Sequence, residues 1–203
     1  MKHPIASRLR RGFTLVELLI VISVIGILAA ITFVSYTGIK EKAYNAKVVA
    51  GVRQYADAIK SYKAINRAYP KTQTEIDGSY IAMTCLGKNY PGNTCGKVTN
   101  VQIYTDSTFY TQISTVIKGT SAVINDQSYS VGSEDFMGAV YGIDTVGGSQ
   151  ADSYRGSDGR GRVIEYALLG ANADCGIQGA WSYNRSTTPA TTACEIGLEP
   201  FNP

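Results

Sequence analysis

From Phe13 to Tyr36 the chain reads FTLVELLIVISVIGILAAITFVSY, 24 residues with a single charge, Glu17. The run is apolar on every side at helical pitch. It predicts a helix of about 36 Å, enough to cross a hydrocarbon core of about 30 Å. Beyond it the pattern becomes one-sided. Val48, Val52, Tyr55, Ile59, Tyr62, Ile65 and Tyr69 recur at steps of three and four, while Lys47, Gln54, Lys60, Lys63 and Arg67 fall off the stripe. That spacing predicts an amphipathic helix whose narrow apolar face packs on something else. No proline occurs between Ile5 and Tyr69, and Pro70 supplies a stop. The expectation is one helix over about 13–68, roughly 84 Å long.

After Pro70 the character changes to glycine, serine, threonine and tyrosine with short apolar runs. A short helix is expected over 106–118, with Asp106 or Ser107 as N-cap and Gly119 as stop. Strands are expected over Gly138–Asp144, over Arg162–Leu169, near 177–183 and near 192–197, with a turn-rich loop between the first two. In the second run Val163, Glu165 and Ala167 alternate against Ile164, Tyr166 and Leu168. A small antiparallel sheet laid on the stripe of residues 48–69 would bury both apolar faces. The predicted class is therefore α+β, a long N-terminal helix packed on a small antiparallel sheet.

Charge divides the chain further. Residues 1–12 carry Lys2, Arg8, Arg10 and Arg11 without an acid, residues 13–69 are net +4, and residues 70–203 are net −5. The overall charge of +3 averages these unlike pieces and does not mark a nucleic-acid binder. The cationic leader lies directly before the apolar run, which favours keeping it cytoplasmic. Everything after residue 36 is then expected outside the membrane. The apolar run is too long for an ordinary secretory signal, and no A-x-A-like site follows it. A buried core helix is the alternative, and the cationic flank argues against it.

Candidate chemistry is sparse. The only histidine is His3, so a Ser-His-Asp triad, a Cys-His pair and a His-ligated zinc are excluded from the body of the chain. Neither a phosphate-binding G-x-x-x-x-G-K-[ST] run nor a G-x-S-x-G elbow is present. Glu134, Asp135, Asp144, Asp152 and Asp158 sit in or near loops and offer calcium-type oxygens, but not at EF-hand spacing, and a solvated loop is the better reading. Residues 154–162 set three arginines among glycines, a weak phosphate signal offset by Asp158. No enzyme and no cofactor are expected. The cysteines, Cys85, Cys95, Cys175 and Cys194, all follow the apolar run, where an oxidising compartment permits disulfides. They allow three connectivities, with nearest-neighbour pairing favoured. A zinc ion held by all four thiolates lacks any C-x2-C knuckle.

Glu17 is the anomaly, because a carboxylate within hydrocarbon costs about 2.5–3.5 kcal/mol even on the lenient insertion scale. It either snorkels to the interface or is neutralised by a cation from another subunit. The run Arg11-Gly12-Phe13-Thr14-Leu15-Val16-Glu17-Leu18-Leu19-Ile20-Val21-Ile22 closely resembles the class III signal of type IV prepilins. The resemblance implies cleavage after Gly12 by a prepilin peptidase, N-methylation of Phe13, and pairing of Glu17 with the N-terminal amine of a neighbouring subunit. It also implies the pilin fold, for which the loop bounded by Cys175 and Cys194 resembles the C-terminal disulfide region. Many members carry a proline where this chain has Val34, leaving Gly26 and Gly38 as weak points of the helix.

The implied organisation is a leader at 1–12, a transmembrane and filament-core helix at 13–36, an amphipathic helix at 37–69 and a globular head at 70–203. The implied function is a structural type IV pilus subunit. It is inserted in the inner membrane as a precursor with its head outside the cytoplasm, then polymerised by an assembly platform into a homopolymeric surface filament. Adhesion, motility and DNA uptake are the filament tasks in that family. A pseudopilin of a type II-like secretion system, a minor tip pilin and a single-pass membrane-anchored binding protein are the alternatives.

Overall fold

A computed structural model describes residues 14–78, 82–98, 101–117, 128–131, 134–143, 161–185 and 190–198; within these, the side chains of 32–37, 98, 128–131, 134–135 and 183–185 lie outside the description. The chain divides into two compact units, residues 1–40 and 41–203.

Helix α1 runs Leu15–Asn66 and contributes to both units. In the first unit its large apolar side chains from Leu15 to Ile31 are exposed. Among the described residues no helix is long and apolar enough to cross a membrane. The span expected over 13–36 includes Phe13 and the side chains of 32–37, which lie outside the described residues. Gly26 and Gly38 have open space around the position of a Cβ, so no packing within the chain requires a glycine at either place.

In the second unit Val48, Val52, Tyr55 and Ile59 are buried, as their spacing predicts, and Tyr62 is half-buried. Ile65 corrects the stripe: it is 71% exposed, because α1 ends at Asn66, whereas Tyr69, beyond the helix end, is buried in the core. A short helix α2, Gln73–Ile76, follows, capped by Thr72, whose hydroxyl accepts from Glu75 N–H at 3.2 Å. Helix α3 spans Ser107–Ile113, shorter than expected. Asp106 is its N-cap, accepting from Phe109 N–H at 2.8 Å, and its other oxygen accepts from Gln73 N–H at 2.9 Å.

Nine strands are described: β1 Met83–Leu86, β2 Thr94–Val98, β3 Val101–Tyr104, β4 Ser128–Val131, β5 Glu134–Met137, β6 Ala139–Ile143, β7 Arg162–Leu169, β8 Trp181–Arg185 and β9 Thr191–Gly197. They form two antiparallel sheets, β1-β6-β7-β9-β8 and β3-β2-β5-β4. The four strands anticipated from the sequence all fall in the first sheet. The second sheet is composed of strands of four or five residues without a clear alternation, and none of them was anticipated.

The second sheet changes the layering. The helix-facing side of the first sheet, with Tyr141, Ile164, Tyr166, Leu168 and Ile196, clusters with Val48, Val52, Tyr55 and Ile59 of α1. Its opposite side, with Val140, Ala167 and Ala193, clusters with Cys95, Ile103 and Phe136 of the second sheet. The head is therefore helix on sheet on sheet, not the two layers expected. This explains why β7 is buried on both faces, with Glu165 opposite Glu195 in the register of β7 and β9.

Two disulfides, Cys85–Cys95 and Cys175–Cys194, use all four cysteines, which excludes the four-thiolate zinc alternative. Cys85–Cys95 joins β1 of one sheet to β2 of the other. Cys175–Cys194 ties the loop before β8 to β9.

Candidate functional site

The N-terminal end of α1 carries the residues that the sequence singles out for assembly. Gly12 and Phe13 lie outside the described residues. Thr14 stands immediately before the helix, and Glu17 occupies its third position. Thr14 N–H and Thr14 Oγ1 each donate to Glu17 Oε2 at 2.8 Å, and Glu17 N–H donates back to Thr14 Oγ1 at 3.3 Å. The backbone closes with Leu18 N–H to Thr14 C=O at 3.2 Å. This is a capping box, in which the two side chains satisfy backbone donors that an α-helix otherwise leaves open. Glu17 is therefore locally paired as well as charged. Sequence reasoning singled out Glu17 and passed over Thr14, although the spacing Thr14-x-x-Glu17 is itself the signature of such a box.

Seventeen residues of exposed helix follow, Leu15–Ile31, in which the large apolar side chains are between 48% and 79% exposed. Ser23 satisfies its hydroxyl within the helix by donating to Ile20 C=O at 2.9 Å. Uncovered apolar surface of this extent is costly in water, at roughly 25 cal/mol per Å². It demands lipid or other protein around it.

In the second unit, long-range polar contacts fix the head on α1. Asn45 acts as a one-residue strand partner for β7: Leu169 N–H donates to Asn45 Oδ1 at 2.8 Å, and Asn45 Nδ2 donates to Leu169 C=O at 2.9 Å. Arg53 donates from Nη2 to Gly176 C=O. Gly170, at φ +97°, has a backbone conformation that calls for glycine, and a Cβ there would meet only the flexible carboxylate end of the exposed Glu41 side chain.

Arg162 forms a bidentate pair with Glu75, Nη1 to Oε2 at 2.8 Å and Nη2 to Oε1 at 2.7 Å, with both side chains almost wholly buried. Its guanidinium also lies 5.6 Å from the ring centre of Tyr69. This overturns the phosphate reading for Arg162, whose charge is already consumed by a carboxylate. Residues 154–160 and the acids Asp144, Asp152 and Asp158 of the calcium reading lie outside the described residues, as do the side chains of Glu134 and Asp135. Among the described residues no group of three or more potential metal ligands is present.

The buried tyrosines are structural. Tyr110 Oη accepts from Gly87 N–H at 2.7 Å and is 3.0 Å from Cys85 C=O, beside the first disulfide. Tyr90 Oη donates to Leu86 C=O at 2.6 Å, Tyr141 Oη to Pro70 C=O at 2.9 Å and Tyr166 Oη to Cys175 C=O at 2.7 Å. Burial pushes the pKa of all four phenols well above the ordinary tyrosine value, with Tyr55 adding to the shift at Tyr110.

Comparison with known proteins agrees with the N-terminal geometry. Residues 7–33 match the prokaryotic N-terminal methylation motif. The type II secretion system core protein G of Escherichia coli (strain K12) is 37% identical over 87 residues, 42% of this chain and 60% of that protein. The protein of the same name from Klebsiella pneumoniae is 36% identical over 84 residues, 40% of this chain and 60% of the relative. That from Vibrio cholerae serotype O1 is 36% identical over 70 residues, 34% of this chain and 48% of the relative. The match thus spans 60% or less of the length of these relatives. No solved structure matches. The chain carries a prepilin-type N-terminus on an α+β, pilin-like architecture.

Proposed function

We propose that this chain is a pseudopilin-type fibre subunit of a type II-like secretion apparatus. It enters the membrane as a precursor, is cleaved after Gly12 and methylated at Phe13, and polymerises through α1. The observation that carries the reading is the methylation motif at residues 7–33, continuous with an exposed apolar helix that carries one carboxylate in its first turn. The identity to core protein G relatives favours a secretion pseudopilin over a surface pilus. In this reading residues 13–36 serve twice, as the membrane anchor of the precursor and as the core of the fibre. Prepilin peptidase, other pilin-like subunits and a membrane assembly platform are its partners. The role is structural and requires neither catalysis nor a cofactor.

A second reading, a type IV pilus subunit, is favoured by the head. The similarity to the relative from Escherichia coli covers 42% of this chain, leaving most of its length unmatched. A two-sheet head with two disulfides is a robust exterior for a filament exposed at the cell surface. The deciding experiment deletes the gene and assays two phenotypes separately. Loss of secreted enzymes with surface filaments intact supports the secretion reading. Loss of sheared surface filaments with secretion intact supports the pilus.

A further inference from the structure

The second sheet carries a groove that the packing of the head leaves unfilled. β2 and β5 are bridged at one position, Gly96 with Phe136, and the register of β2 slips between Thr94 and Gly96. There a groove of about 360 Å³ opens to solvent, with Pro91, Gly96, Lys97, Gln102, Phe136 and Met137 on its lining. Gly96 brings no side chain to fill it. Pro91 is exposed and Met137 half-buried, so apolar surface stays accessible.

The polar groups on the lining are of one kind. Lys97 and Gln102 are partners in the register of β2 and β3, so their side chains share one face of the pair, and both residues are exposed. Tyr104 Oη donates to Gln102 Oε1, which engages the only acceptor atom of that amide and leaves its N–H donors for another group. The Thr94 hydroxyl, also on the lining, donates to Pro91 C=O at 3.3 Å. Lys97 makes no ion pair among the described residues, and no acid lines the groove. Two donors, one of them charged, beside apolar walls are complementary to a carboxylate that carries an apolar group.

Size and shape choose among carboxylates. Small-ligand pockets hold roughly 300–1,000 Å³ and bury about 70–90% of the ligand surface. A groove near the lower limit and open to solvent does not enclose a free acid to that extent. It suits the last residue of a polypeptide, whose remaining chain runs out over the surface. An internal Asp or Glu does not meet the same need, because only a chain terminus presents an apolar side chain and a carboxylate on one carbon. Capture of a C-terminal carboxylate is a recurring mode of peptide recognition.

We infer that the groove between β2 and β5 binds the carboxyl terminus of a partner polypeptide, with an apolar or aromatic last side chain against Pro91 and Met137 and the carboxylate on Lys97 and Gln102. The groove lies wholly in the second unit, so the inference stands apart from the fibre reading. The test uses the full chain in detergent, isotope-labelled at the methyl groups of Met1, Met83 and Met137. A short peptide ending in phenylalanine with a free carboxylate is expected to move the Met137 signal saturably and leave Met83 unmoved. Its C-terminal amide, and the same peptide ending in glycine, should each bind about tenfold more weakly, the scale set by one hydrogen bond to a charge or one buried apolar side chain. Lys97→Gln is expected to bring the acid down to the affinity of the amide. Gln102→Glu, which sets a like charge against the carboxylate, should weaken the acid and not the amide. Both variants are expected to keep the Met83 signal in place, as neither side chain is buried. An unmoved Met137 signal, equal binding of acid and amide, or wild-type affinity of the acid in Lys97→Gln would overturn the inference. Tighter binding of phenylpropanoate, a free acid with no peptide behind it, would overturn it as well.

Discussion

Glu17 and Thr14 are bound to each other in both directions, with two donors of Thr14 on one carboxylate oxygen and the Glu17 N–H on the Thr14 hydroxyl. The pairing separates two roles that a single substitution usually confounds. Glutamine at this position keeps an oxygen for the capping box and loses the charge. Leucine loses both.

Glu17→Gln is therefore expected to preserve membrane insertion and the helix start, and to reduce fibre yield sharply. Glu17→Leu should insert more readily and assemble no better. Thr14→Val should cost the helix start about 1 kcal/mol, the usual worth of an N-cap, while retaining the charge. Quantifying fibres against membrane-held precursor checks all three. If the glutamine variant assembled normally, Glu17 would be only a cap.

Processing after Gly12 is expected to yield a mature chain beginning at Phe13. A bulky residue in place of Gly12 should leave full-length chain in the membrane, since close approach of a peptidase to the backbone is easiest where no side chain intervenes. Mass spectrometry of the N-terminal peptide distinguishes the two forms, and a fibre form starting at Met1 would refute the scheme.

Arg162→Met should destabilise the head by about 3–5 kcal/mol, because it strands the Glu75 carboxylate in a buried site. Replacing both partners, Arg162→Met with Glu75→Leu, should recover most of that loss. Urea denaturation of the full chain in detergent measures the difference. Equal losses in the single and double variants would show that the pair does more than neutralise itself.

The disulfides differ in what they hold. Replacing Cys85 and Cys95 by serine removes the covalent tie between the sheets, while replacing Cys175 and Cys194 frees only the loop before β8. Each is expected to cost about 2–4 kcal/mol. Hydrogen exchange should then show increased opening of β2 and β3 in the first variant and of residues 170–180 in the second.

Alkaline pH supplies a further test. Tyr90, Tyr110, Tyr141 and Tyr166 have folded pKa values above their unfolded value, because burial penalises the phenolate. Their contribution to stability is fully present below the unfolded value of about 10 and is lost as pH rises above it. Melting temperature should fall steeply above that pH, and tyrosinate absorbance should lag until unfolding begins. Smooth titration of every tyrosine while the fold persists would contradict the burial.

The N-terminal third was legible from sequence because its information is local. Helical periodicity marked Val48, Val52, Tyr55 and Ile59 for burial, and the cap, although passed over, is written in the Thr14-x-x-Glu17 spacing between residues three apart. The β7 strand was legible for the same reason, being a run of eight residues dense in apolar side chains. What escaped was non-local. The second sheet consists of strands too short to show a period, and each becomes a strand only by pairing with another. The pairing of Arg162 with Glu75 across 87 residues, and of Asn45 with Leu169 across 124, leaves no mark in either neighbourhood. Sequence alone determined which side of α1 must be buried, because helical geometry assigns a face to every position. Only the tertiary structure decided that the sheet beneath it would be covered on its other side as well, because that depends on which distant backbone edges meet.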